Sequence, residues 1–378
     1  MSDITPRGGA VRRRRFAVTV AAGVVALAIG AAPATARTAS WRAVVPEGLS
    51  EAVLYDISSA EGATWTAGID VTDWSPLALR WNGSGWTRTP QPVQHGRFDD
   101  IAAGSGGEAW AVGSQGGGGD GGDAPVVERW DGSAWLLEDV PLPPDARGGV
   151  HAVAVSPQGT VWAGGGLFND GTDGLQSPLL MTRSSDGTWR NVEIPADAAV
   201  GSTINVLPLA DDDVWLLGVK GVAHFDGTAW TRQRLPSQLD DTTFYLYDIE
   251  EREPGELWAV GLAQDDELWR RPVALRFDRG RWKEVPTPKE TAELRGITFD
   301  DHKRPVIVGE TVDPAVDPDS NYTLTLDDGG RLVRGERPPG AGQLIGVDSD
   351  EQGRIWTSGT LNHPEKPGSY LPYAAVRD

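Results

Sequence analysis

Apolar and small residues recur along this chain in a fixed grammar. An Ile or Val is followed eight or nine residues later by a Trp, and three residues after that by a Gly. The pattern stands at Ile57/Trp65/Gly68, Ile101/Trp110/Gly113, Val153/Trp162/Gly165 and Val206/Trp215/Gly218. It returns at Ile249/Trp258/Gly261, Ile297/Val306/Gly309 and Val347/Trp356/Gly359, the sixth copy replacing its Trp by Val306. A second motif alternates with it, an Asp-Gly or Asn-Gly turn, then a Trp, then a Pro six residues on. Trp86/Pro92, Trp135/Pro141, Trp189/Pro195, Trp230/Pro236 and Trp282/Pro288 fit it, with Leu332/Pro338 degenerate. Self-similarity at a period of roughly 48 residues marks a propeller or solenoid array.

The short apolar runs, such as Val126–Trp130 and Trp215–Val219, are bounded by turn residues and read as strands. Trp81-Asn82-Gly83, Trp130-Asp131-Gly132 and Phe225-Asp226-Gly227 supply the positive φ of tight hairpins. Two hairpins per copy and seven copies predict an all-β, seven-bladed propeller of four-stranded blades. The last copy lacks its second motif, and the missing piece stands at the other end as Ser40-Trp41-Arg42-Ala43-Val44-Val45-Pro46. The N-terminal strand is therefore expected to complete the last blade and close the ring, leaving no free sheet edge. The repeated Trp residues are expected to pack between neighbouring blades.

The two faces of such a disc differ. Turns within the first and second hairpins keep a nearly constant length, as in Ser156-Pro157-Gln158-Gly159. Links between the second and third strands vary, and fall at Ile69–Pro76, Ser114–Pro125, Leu167–Pro178, Leu262–Pro272, Glu310–Tyr322 and Thr360–Pro372. Variable loops over a fixed scaffold are where binding usually resides. The Gly-rich tract Ser114–Asp123 is no phosphate loop, because no Lys-Ser/Thr follows it. At the start of the innermost strands stand Asp56, Asp100, Ala152, Asn205, Asp248, Gly296 and Gly346. Tyr55, Asp99, His151, Tyr247 and Arg295 precede five of them, so these residues should ring the mouth of the central channel.

Residues 1–36 differ in kind. Arg12-Arg13-Arg14-Arg15-Phe16, an Ala/Val run and Ala34-Thr35-Ala36 form a basic head, a short apolar middle and a small-residue cleavage site. That reads as an export signal, leaving 37–378 as one propeller domain without a membrane span. Arg13-Arg14-Arg15-Phe16 resembles a twin-arginine signal; a general secretory signal and an uncleaved anchor are the alternatives. The chain has no Cys, which excludes disulfides, thiolate metal sites, Cys nucleophiles and a lipid-modified Cys. Its net charge of −20 argues against nucleic acid and suits a basic partner, a cation or neutral sugars, or serves solubility alone.

No cofactor is required by these motifs. Asp56, Asp100 and Asp248 in one ring suggest Ca²⁺, the alternative being that each satisfies a backbone donor at a strand end. Asp317-Pro318-Asp319-Ser320-Asn321 echoes the start of a calcium loop, but Tyr322 stands where that loop needs Gly. His95, His151, His224, His302 and His363 never fall at metal-ligand spacing, and no G-x-S-x-G occurs. His151 is the best single acid–base candidate.

Asp100-Ile101 with Gly106-Gly107-Glu108-Ala109-Trp110, then Glu128-Arg129-Trp130 and Trp135, resembles tectonin-type repeats. Asp212-Asp213-Val214-Trp215 with Phe225-Asp226-Gly227 is similar to propeller repeats in sensor domains of bacterial two-component regulators. The likeness spans nearly all of Trp41–Asp378 at structural positions, so no family ligand residue is carried over. Tectonin-like propellers are commonly lectins, which implies sugar binding on or between blades. The streptogramin-lyase type of seven-bladed propeller is an enzyme, yet its catalytic histidine and glutamate find no match here. The leading expectation is an exported, non-enzymatic, lectin-like protein binding glycan or cell-surface material through its variable face. Trp74, Trp269 and Tyr322 would stack on sugar faces, while Asp266, Asp319 and Asn321 would hold hydroxyls. A scaffold docking a basic protein on its acidic rim is one alternative. A lyase or hydrolase at the channel mouth around His151, Asp56, Asp100 and Asp248 is another.

Overall fold

A computed structural model describes residues 40–116, 123–168, 176–240, 242–264, 270–312, 320–340 and 342–378. Residues 1–36, on which the export reading rests, lie outside these residues. Among the described residues, every sheet is a four-stranded antiparallel blade, and the seven sheets form one compact unit. Among the described residues helical structure is confined to two short 3-10 turns, Ser105–Gly107 and Ser237–Leu239. No helix there is long and apolar enough to cross a membrane.

The innermost strands are Ala52–Ala60, Gly96–Ala103, Gly148–Val155, Thr203–Ala210, Thr243–Glu253, Ala292–Phe299 and Leu344–Ser349, opening blades 1 to 7 in turn. Blade 7 is completed by Trp41–Ala43, which pairs antiparallel with Tyr370–Arg377 in the register Trp41↔Arg377 and Ala43↔Ala375. The ring is therefore seven-bladed and closed by its first strand.

Packing follows from the repeated Trp. Trp65 of blade 1 is buried against Phe98, Ile101, Trp130 and Trp135 of blade 2, with ring centroids 5.3 Å from Trp130 and 5.5 Å from Trp135. Trp110 meets Val153 and Trp189 of blade 3, and Trp215 meets Ile249 and Trp282 of blade 5. Trp356 of blade 7 meets Ile57 and Trp86 of blade 1. Each seam is thus an apolar cluster built by two blades. Truncating such an aromatic costs roughly 3–5 kcal/mol. At the sixth seam, where Val306 replaces the Trp, Trp41 enters the same cluster as Val306 and Val347. The Asp-Gly turns form as their sequence predicts: Gly132 has φ 99°, and Asp131 Oδ1 accepts from the Ser133 and Ala134 amides at 2.8 and 2.9 Å.

Candidate functional site

All seven innermost strands slip register at one equivalent place. The slips fall at Leu54/Asp56, Phe98/Asp100, Val150/Ala152 and Thr203/Asn205, and again at Leu246/Asp248, Leu294/Gly296 and Leu344/Gly346. The extra residue of each bulge is Tyr55, Asp99, His151, Ile204, Tyr247, Arg295 or Ile345, and all seven line the central channel, a cavity of about 440 Å³. A bulge leaves one residue out of the ladder and re-aims its side chain, which is how propeller mouths acquire chemistry. These residues lie near the starts of their strands, on the side of the variable links.

The repeated Gly of the second strand makes room for this. An added Cβ would fall 1.9 Å from the Val53 carbonyl oxygen at Gly68, and 1.9 Å from that of Tyr245 at Gly261. Those carbonyls belong to residues flanking the bulge, which carry the inner strand over the glycine.

Two polar groups occupy the mouth. On one side His151 Nδ1 lies 2.8 Å from Asp99 Oδ2, and Arg97 Nε donates to Asp99 Oδ1 at 2.5 Å. A Cβ on Gly149 would sit 2.6 Å from His151 Cε1, so the imidazole rests against a bare backbone. On the other side the Arg295 guanidinium lies 4.4 Å from the Tyr247 ring centroid and 2.6 Å from Glu293 Oε2. Glu310, 3.4 Å from Arg295, also accepts from Gln343 Nε2 at 2.6 Å. Tyr245 and Tyr247 are near parallel, 12° apart with centroids at 6.4 Å. Burial raises the phenol pKa values of Tyr55 and Tyr247, keeping both as hydroxyl donors. The arrangement offers aromatic planes beside charges that are already paired.

One layer deeper, Asp56, Asp100, Asn205 and Asp248 also line the channel. Their oxygens are committed to the ring itself. Asp56 Oδ2 accepts from the Ile101 amide at 3.3 Å, and Asp100 Oδ2 from the Val153 amide at 2.7 Å. Asp248 accepts from the Ile249 and Ile297 amides, each at 2.8 Å, and from Asn205 Nδ2 at 2.9 Å. Asp348 bridges blade 7 to blade 1 by accepting from the Ser59 amide at 2.7 Å. Each carboxyl thus ties its own strand to the next blade. Burial pushes the carboxyl pKa values up, to about 6 for Asp248 and about 7 for Asp348. It raises Asp100 too, and lifts Asp56 well above the usual range with help from the neighbouring Asp100 charge. Among the described residues no group of carboxylates or histidines converges to hold a metal ion.

Of the loop residues named from sequence, Trp74, Asn321 and Tyr322 are described, and none of the three lines the channel. Trp74 is 63% exposed at a turn with φ 56° and does not line the channel. Tyr322 and Asn321 correct the sequence reading: they are 0% and 2% exposed, inside blade 6, with Arg334 3.8 Å over the Tyr322 ring. A phenol with no exposed face cannot stack on a sugar. Asp266, Trp269 and Asp319 lie outside the described residues. Sequence reasoning missed Arg97, Tyr245, Glu293 and Glu310. The signal for them was the Gly after each Trp, which marks where the facing strand bulges.

No family model matches this chain, and no curated protein matches it. Solved structures do. Virginiamycin B lyase from Staphylococcus aureus with quinupristin is similar over 90% of this chain and 99% of its own, with TM-score 0.63 and 14% identity. The extracellular domain of a hybrid two-component system from B. thetaiotaomicron is similar over 89% of this chain and 39% of that one, with TM-score 0.58 and 11% identity. YCF48 bound to D1 peptide is similar over 89% and 94%, with TM-score 0.56 and 12% identity. At such identities the likeness is one of fold: this chain is a propeller among propellers of varied function.

Proposed function

We propose that this is an exported recognition protein that binds glycan or cell-surface material on its variable face, centred on the channel mouth. The observation that carries the reading is the sevenfold bulge, which brings Tyr55, Tyr247, His151, Asp99 and Arg295 to one opening. Sugar C–H faces pack on aromatic planes, and paired Asp–Arg and Glu–Arg groups donate and accept toward hydroxyls without presenting a net charge. The basic, apolar, small-residue order of residues 1–36 supports export. A glycan array on the purified protein tests the reading. Tyr247→Ala should weaken the best glycan roughly tenfold, about 1.4 kcal/mol. An empty array, with one basic protein recovered by pull-down, would replace the lectin by the scaffold.

The His151–Asp99 contact favours one second reading, proton abstraction at the mouth. A carboxylate at 2.8 Å fixes the imidazole tautomer and orients its other nitrogen. Turnover of a bound ligand, abolished by His151→Ala with binding retained, would establish it.

A further inference from the structure

We infer that the outer edge of blade 5 is a docking strand, separate from the channel mouth, that takes an extended acidic polypeptide segment. Its outermost strand, Arg281–Val285, is five residues long, whereas each of the other six blades ends in a strand of three. Arg281–Val285 stands last in the strand order of its sheet, so its outward backbone N–H and C=O groups meet no further strand.

The extra length has a local cause. In blades 1 to 4 and in blade 6 the second hairpin turns through four or five residues, as between Trp130 and Trp135. In blade 5 it turns through two, Arg279 and Gly280, with φ 51° and 76°. Two successive positive φ values give a tight turn whose twist matches that of the strands it joins. The ladder therefore continues past Trp282 in both directions, from Arg281 to Val285.

Charge sets this edge apart as well. The hairpin Arg270–Val285 carries six basic residues against two acidic ones, in a chain of net charge −20. Arg276 pairs with Lys283 and Asp278 with Arg281, so these four share one face of the blade, opposite the buried Trp282. Arg276 and Arg279 each lie 3.8 Å from Asp278, and Arg279 is 89% exposed. Arg281 and Lys283 are exposed and, among the described residues, have no carboxylate partner.

A strand added beside Arg281–Val285 would bond to this edge through its main chain and set its side chains about 5 Å from those of Arg281 and Lys283. Glu or Asp at alternate positions then meets both cations. The same charges repel the equivalent edge of a second copy, so the edge selects its partner by sign.

Titration calorimetry on the purified protein with acetyl-Thr-Glu-Thr-Glu-Thr-Glu-Thr-amide tests this. An analogue with Gln for every Glu keeps the shape and removes the charge. An analogue N-methylated at every residue keeps the charge and removes the main-chain donors. The glutamate peptide should bind, each analogue at least tenfold more weakly, and raised salt should weaken the parent peptide. Lys283→Glu should lower the affinity at least tenfold, and Arg281→Glu repeats the test should the first variant fail to fold. Arg190→Glu makes the same charge change at the matching position of blade 3, after Trp189, and should leave binding unchanged. The assignment is overturned by no binding of the glutamate peptide, by equal affinity for either analogue, or by an equal loss in Arg190→Glu. Undiminished affinity in a natively melting Lys283→Glu or Arg281→Glu variant overturns it too.

Discussion

At the scale of single residues, Glu128 is the outlier of the core. It occupies the column that other blades fill with Leu79, Met181, Ala223, Leu275, Leu324 and Ala375. It is fully buried, accepts from the Val93 amide at 3.3 Å through Oε1, and leaves Oε2 without a partner. Burial pushes its pKa up to about 7. A folded pKa above the unfolded value means the group favours folding below the unfolded pKa, and that contribution is lost as pH rises through about 7. Glu128→Gln should therefore raise the unfolding free energy at pH 8 by on the order of 3 kcal/mol, seen as a higher urea midpoint, and change little at pH 4. Chemical denaturation at the two pH values checks it; an equal effect at both would show that charge burial is not the cause. Tyr322 carries a second lesson at this scale. It follows a variable link and looks like a loop aromatic, yet it pairs with Gly309 in the column of Leu77, Val126, Leu179 and Tyr373, all buried. Aligning the copies by their Gly would have placed it in the core. Composition of the loop alone could not.

At the scale of elements, the bulge and the glycine facing it form one device. Gly261→Ala would drive a methyl into the Tyr245 carbonyl, so the inner strand of blade 5 must move or lose its bulge. The expected cost is about 1–3 kcal/mol in stability, as for other overpacked sites. Tyr247 would be displaced with the strand, so ligand affinity at the mouth should fall together with the denaturation midpoint. Gly85→Ala, with open space around it, is the control that should leave the mouth unchanged. The recurring Gly was plain in the sequence. Its reason was not, because a bulge is a relation between two strands, and the Gly marks the place only once the strand facing it is known. The five mouth residues named from their position before the Asp column do line the channel, whereas their partners Arg97, Glu293 and Glu310 come from neighbouring turns of the pleat.

At the scale of the molecule, the architecture was legible because the same unit is written out repeatedly, and errors in one copy are outvoted by the others. The chemistry of the channel mouth was not, because the bulged residues there differ from copy to copy on a backbone that repeats. Closure of the ring rests on Trp41, buried in the last seam, with Nε1 donating to the Glu336 carbonyl at 3.0 Å and Arg377 5.3 Å over its face. Trp41→Ala should cost roughly 3–5 kcal/mol and lower the melting temperature more than Trp74→Ala, whose side chain is exposed. Comparable melting of the two variants would mean that the first strand contributes little to the ring.

Trp41 also faces Arg377 across antiparallel strands, so the outer end of the first strand and the end of the last lie side by side. Traction applied through them would peel the clasp open one pair at a time instead of shearing all its bonds together. Force applied at those two points therefore loads the join of the circle first.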